Sequence, residues 1–160
     1  MTDGISGEAE MTFLGALVES TVETLRTMAM LEASCVRQCR EPECGLGWDV
    51  GARMALTSGG AGCIGVATGM ECARKIVGRI VGQEAAEVDD DEASAGLAEV
   101  LNMIAGNAKT RLAGTPQHFE LSLPEPWKGR TDAPCEAPAK GLTAVFDVEG
   151  AAFAVCAHMG

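Results

Sequence analysis

The chain has 160 residues, 47% of them hydrophobic and 22% charged, with a formal net charge of −11. That length suits one domain, able to bury most of its apolar surface without metals or disulfides, and the acidic balance, with no basic stripe interleaved with aromatics, excludes nucleic acid as a partner. The first 20 residues lack the basic start and continuous apolar run of a secretory signal, and the apolar stretches elsewhere are broken by Arg, Lys or Gly short of a membrane span, so the reading is of a soluble, cytoplasmic protein without a membrane contact.

Phe13, Leu14, Leu17, Val18, Thr21, Leu25 and Met28 recur at steps of one, three and four, the stripe of an amphipathic helix over about residues 9–32, which leaves 1–8 as a disordered start. Cys35, Cys39 and Cys44 follow in a stretch that reads as a weak strand. Their spacing is not CxxC and neither His118 nor His158 is close in sequence, so no structural metal is expected. The total of seven cysteines, odd in a chain without a signal, argues for reduced thiols acting as small apolar residues. Trp48, Val50, Ala52, Met54 and Leu56 alternate with Asp49, Gly51, Arg53 and Ala55, the period of a half-buried strand, and Ser58 to Gly62 turns the chain into a second strand, Cys63 to Thr68.

A short helix comes next, with Met70, Ala73, Ile76, Val77, Ile80 and Val81 on one face and Gly82 as its stop. The acid run Glu87 to Glu92 charges and caps the helix that follows, and lacks the ligand alternation of a calcium loop. That helix spans about Ser94 to Ala113, with Gly114 as its stop. Phe119, Leu121 and Leu123 then alternate as a strand, a Pro-rich loop runs through 124–141, and Leu142 to Val148 and Ala151 to Ala157 form a closing hairpin about Glu149 and Gly150. Helix then strands, twice over, predicts a single α+β domain across 1–160: an antiparallel sheet with long helices packed on it, in two pseudo-duplicated halves. No Walker loop or GxGxxG fingerprint marks a nucleotide site.

The long second helix carries an unusual stretch, Glu99-Val100-Leu101-Asn102-Met103-Ile104-Ala105-Gly106-Asn107-Ala108-Lys109. Advancing about 100° per residue puts Leu97, Leu101, Ile104, Ala105, Ala108 and Leu112 on the core stripe, and Glu99, Asn102 and Gly106 together on the outer face. Such a Glu and Asn pair is most often plain solvated surface. Gly106 sets this one apart, since it costs about 1 kcal/mol relative to alanine and strips bulk from the same face, either for an approaching partner or for close packing of another helix. Asn107, at the stripe's edge, is read as a hydrogen bond to a neighbouring loop.

This stretch resembles the signature helix of CheX-type chemotaxis phosphatases, within the CheC/CheX/FliY family. Leu25-Arg26-Thr27-Met28-Ala29 is similar to the end of that family's first helix, Ala73 to Arg79 to its middle helix, and Ser122-Leu123-Pro124 to the strand end after the signature. The resemblance implies a CheC-like fold and an enzyme that removes phosphate from the phospho-aspartate of a CheY-like receiver domain. It implies that Asn102 is the catalytic amide that orients the attacking water, and that Glu99 pairs with the receiver's active-site lysine. Met103, Gly106 and Lys109 would line the surface the partner approaches. No cofactor or metal of its own is expected, magnesium being carried by the receiver, and a homodimer is implied. On the first helix Glu19 is followed by Val22 and Glu23 by Arg26, so one active site per chain is expected. The alternative is a non-enzymatic module of the same fold that binds a response regulator or serves as a scaffold.

Overall fold

The computed structural model describes residues 3–40, 47–57, 62–115, 120–131 and 142–158; the Gly-rich turn at 58–61, Cys44, His118 and Phe119, and the Pro-rich segment from 132 to 141 lie outside them. In chain order the elements are α1 (Asp3–Met28), β1 (Ala33–Arg40), β2 (Trp48–Leu56), β3 (Gly62–Thr68), α2 (Met70–Val81), α3 (Asp90–Leu112), β4 (Glu125–Thr131), β5 (Leu142–Val148) and β6 (Ala151–His158). The six strands make one antiparallel sheet in the order β1-β5-β6-β3-β2-β4. Exchanging the halves α1-β1-β2-β3 and α3-β4-β5-β6 reverses that order onto itself, so the predicted duplication is a pseudo-two-fold about the β3–β6 pair.

All three helices cover one face of the sheet, α1 over β1, β5 and β6 and α3 over β2, β3 and β4, with α2 packed against α3. The core between the layers takes Phe13, Leu17 and Leu25 from α1, Ile76 from α2, Leu97, Leu101 and Ile104 from α3, and Ile64, Phe146 and Phe153 from the strands, all at 0% exposure. The end of α2 and the start of α3 fall where their residues dictate. Gly82 takes φ +76 and the amide of Gln83 donates to the Gly78 carbonyl, closing α2. Asp89 caps α3 by accepting from the Glu92 amide while the Glu92 side chain accepts from the Asp89 amide, so the acid run does what its charge predicts.

Several expectations need correction. α1 begins at Asp3, so residues 3–8 are helical rather than disordered, and it stops at Met28 rather than near residue 32. The apolar run continues past the end, but Met30 adopts φ 55 and the Leu31 amide donates back to the Leu25 carbonyl, turning the chain while Leu31 stays in the core. Met28, read as part of the buried stripe, is 46% exposed.

Of the strand expected at Phe119 to Leu123, the described residues 120–123 form one bridge, between Leu121 and Leu56, and Leu123 is exposed. β4 forms instead at Glu125–Thr131, inside the segment read as loop. The reason is a non-local fit. Trp127 lies opposite Gly51 on β2, where an added Cβ would come within 2.6 Å of the indole and 2.2 Å of the Val66 carbonyl oxygen. Pro126 is tolerated because β4 is an edge strand, where a missing N–H costs no ladder bond on the outer side. Together with Trp48, Ala67, Val145 and Ala154, Trp127 builds a small apolar cluster on the side of the sheet away from the helices.

Cys39 and Cys156 each take part in a disulfide, against the expectation of reduced thiols. They stand two strands apart on one row of the sheet with Thr143 between them, farther than a disulfide spans, so this register does not join them to each other. An odd total of cysteines carries no geometric information about which thiols bond. Cys35 and Cys72 are not bonded, and burial pushes the Cys72 thiol above its usual range.

Candidate functional site

α3 presents its signature as the periodicity predicts. Leu97, Leu101, Ile104, Ala105 and Ala108 are fully buried and Leu112 nearly so, while Glu99, Asn102 and Gly106 are exposed along the opposite side. The helix is fixed from beneath by this apolar stripe and at its start by the cap, by the Arg74–Asp90 and Lys128–Asp91 ion pairs, and by the Ser94 hydroxyl, which donates to the Trp127 carbonyl at 3.4 Å. A rigid helix backed by a sheet is what a pair of groups needs to keep a set spacing. Neither the Glu99 carboxylate nor the Asn102 amide has a hydrogen bond or ion pair among the described residues, so both are available to a partner. Gly106 lies one turn beyond Asn102, and a Cβ built there meets no atom within 4 Å. Packing of another helix against Gly106 is thereby excluded among the described residues.

The surrounding residues differ in what they do. Met103 is half-buried and packs against the core beside the exposed stripe. Lys109 ion-pairs with Glu120 at 2.7 Å, tying α3 to the segment that leads into β4. Asn107 faces α1, not a loop. Its Oδ1 accepts from the Ser20 hydroxyl at 3.2 Å and from Arg111 Nε at 2.8 Å, and its Nδ2 donates to Glu23 Oε2 at 3.0 Å. Arg111 also reaches Glu19 at 2.8 Å and Glu23 at 2.5 Å. The hydrogen bond from Asn107, then that from Arg111, hold the Glu23 carboxyl below the usual carboxylate range. Glu19 and Glu23 are thus engaged by α3, and neither has an asparagine three residues on. This polar square was missed in the sequence, although both of its sides, Glu19 with Glu23 and Asn107 with Arg111, are spaced i, i+4, as one helical face requires.

Among the described residues no three His, Cys, Asp or Glu side chains gather as a metal site, and no helix is long and apolar enough to cross a membrane. A cleft of about 440 Å³ opens at the start of α2, lined by Trp48, Asp49, Met70, Cys72 and Ala152 among others, with no residue of α3 on its wall. The signature residues stand on a convex face, the shape for entering another protein's site rather than enclosing a small molecule.

Comparisons with known proteins agree with this geometry. Residues 50–147 match the family described as chemotaxis phosphatase CheX. No curated protein matches the chain. Among solved structures, the chemotaxis protein CheX from Vibrio vulnificus superposes with a TM-score of 0.80 at 18% identity, covering 91% of this chain and 97% of that one. CheX from Desulfovibrio desulfuricans gives 0.75 at 21%, with coverage of 91% and 97%. A CheX–CheY–BeF3–Mg2+ complex from Borrelia burgdorferi gives 0.72 at 20%, with 91% and 96%. At these identities the likeness speaks for the fold, while the family match spans more than half of the chain and includes the signature helix. The chain belongs to the CheX family of chemotaxis phosphatases.

Proposed function

We propose that this protein removes the phosphoryl group from the phospho-aspartate of a CheY-like receiver domain, with Asn102 and Glu99 as its working residues. The observation that carries the reading is the pair itself: an acid and an amide three residues apart, both exposed and without a partner among the described residues, on a helix fixed along its whole buried side. The step is hydrolysis. A water oxygen attacks phosphorus, the bond from phosphorus to the aspartyl oxygen breaks, and inorganic phosphate and a free carboxylate result. Such transfer depends mostly on positioning and charge stabilisation. The Asn102 amide can accept a hydrogen bond from the water through its oxygen and donate through its nitrogen to a phosphoryl oxygen, holding the two in line. Glu99, one turn earlier, pairs with the receiver's active-site lysine and sets the register. Met103, Gly106 and Lys109 line the approach. This chain brings no metal or cofactor, and magnesium is supplied by the receiver, in keeping with the Mg2+ in the Borrelia complex.

We further place the protein in the cytoplasm as a single domain over 1–160, with one such site per chain, pairing into a homodimer through the sheet edges β1 and β4. The functional test is to incubate the protein with a phosphorylated receiver domain and follow phosphate release. Release well above the receiver's own rate is expected; a stable complex with no faster release would instead make the protein a binding module.

A further inference from the structure

The square between α1 and α3 is more costly than its stability return explains. Asn107 is a mediocre helix former in the middle of a long helix. Ser20 is fully buried, and its hydroxyl donates at 3.2 Å to the Asn107 amide oxygen. Arg111 adds bonds at 2.8 Å to Asn107 and Glu19 and at 2.5 Å to Glu23. Exposed ion pairs contribute little to folding, and Glu19 is 68% exposed. What the arrangement does supply is orientation. Two anchors on α3, one turn apart, meet two on α1, one turn apart, and such a closed square resists rotation of either helix about its axis as well as sliding along it. Between Ile104 and Leu112 the buried positions of α3 are the alanines Ala105 and Ala108, which offer little bulk to resist that rotation. Asn107 stands five residues after Asn102, roughly 140° around the helix, so it grips the flank and leaves the outer face clear.

We propose that Asn107 and Arg111, through Ser20, Glu19 and Glu23, are positioning residues that set the rotation of α3 and thereby the direction in which Asn102 presents its amide. The proposal rests on the reading of Asn102 given above. An axial rotation of a few degrees displaces the Asn102 amide from the line between water and phosphorus, whereas the longer Glu99 side chain follows its lysine. The defect of a loosened square therefore falls on turnover and not on partner binding.

The test measures kcat and KM for phosphate release from a phosphorylated receiver, with the melting temperature, for Asn107→Leu, Arg111→Met and the conservative Arg111→Lys, beside Asn102→Ala as reference. Expected are a kcat lowered about tenfold or more in Asn107→Leu and Arg111→Met, as small misplacements of a reacting group cause, KM within about twofold, a melting temperature within about 4 °C of the parent, and partial recovery of kcat in Arg111→Lys. Full kcat in Arg111→Met overturns the proposal, as does a loss of kcat that only follows a loss of folded protein. Should Asn107→Leu fail to fold, the two Arg111 variants decide. An Asn102→Ala protein with parental activity would overturn the underlying reading of the site. An inactive Asn102→Ala beside fully active Arg111 variants would overturn the positioning role alone.

Discussion

Gly106 lies one helical turn beyond Asn102 on the exposed side of α3, and among the described residues nothing beyond its own stretch of helix comes within 4 Å of the place where a Cβ would stand. Propensity and approach therefore pull against each other at this position. Gly106→Ala is expected to stabilise the protein by up to about 1 kcal/mol, raising the melting temperature, while lowering phosphatase activity because the methyl group stands where the receiver must come. Leucine should weaken activity further. Thermal unfolding and phosphate release on both variants check this, since a folding defect cannot produce effects of opposite sign; an alanine variant with full activity removes the approach argument.

Asn102→Ala should fold as the parent does, because its side chain is exposed and makes no hydrogen bond among the described residues, and lose roughly a hundredfold or more in kcat, the scale for a positioned catalytic group. Glu99→Ala should act mainly on KM, removing a docking charge. Steady-state kinetics against a phosphorylated receiver separate the two, and a Glu99→Ala defect confined to the saturated rate would reverse the assignment.

Gly51→Ala is expected to be among the most damaging small substitutions in the sheet. The new carbon would lie 2.2 Å from the Val66 carbonyl oxygen and 2.6 Å from the Trp127 ring, so backbone or indole must move. A loss of about 1–3 kcal/mol follows from overpacking of this kind, read by denaturant unfolding, and Trp127→Ala in the same chain should relieve part of it.

The Glu23 carboxyl is held below its usual range by Asn107 first and Arg111 second. A carboxyl depressed in the folded state contributes stability that is present above the unfolded value and is lost as pH falls through the folded one. Acidification through and below the ordinary carboxylate range should therefore weaken the contact between α1 and α3. Comparing melting temperature against pH for the parent and Glu23→Gln tests it: the variant's acid limb should be shallower, and superimposable limbs would refute the linkage.

The homodimer is checked by light scattering at micromolar concentration, where a species near twice 16.5 kDa is expected. A charged substitution on an outward-facing residue of the edge strand in the interface should return it to the monomer.

Much of this fold was legible because its signals are local. β2 runs from Trp48 to Leu56 as its residues predict, with Val50, Ala52, Met54 and Leu56 in the core although Trp48 joins the cluster on the far side, α2 stops at Gly82 in the left-handed conformation, and every core position assigned to α3 is buried. The failures share a cause as well. β4 is specified by a tryptophan fitting onto a glycine 76 residues earlier in the chain, a match that no window of periodicity contains. Prolines that signal a loop in isolation are compatible with an edge strand once its partner is known. The partners of Asn107 likewise sit 84 and 87 residues away on α1, so sequence could mark the residue as unusual without saying what it held. For Glu99 and Asn102 the helical period was enough to place them on the outer face, whereas their roles came from family resemblance.

The palindromic strand order carries a consequence for how the chain acquires its structure. β6, the last strand, inserts between β5 and β3, so the sheet remains two separate pieces, β1-β5 and β3-β2-β4, until residues Ala151–His158 are in place. Neither half can mature on its own, since strands of one half are bordered by strands of the other, and the closing contacts link distant parts of the chain. High contact order of this kind slows folding. On the ribosome, the growing chain must wait with unpaired β3 and β5 edges, a state open to mispairing between neighbouring copies.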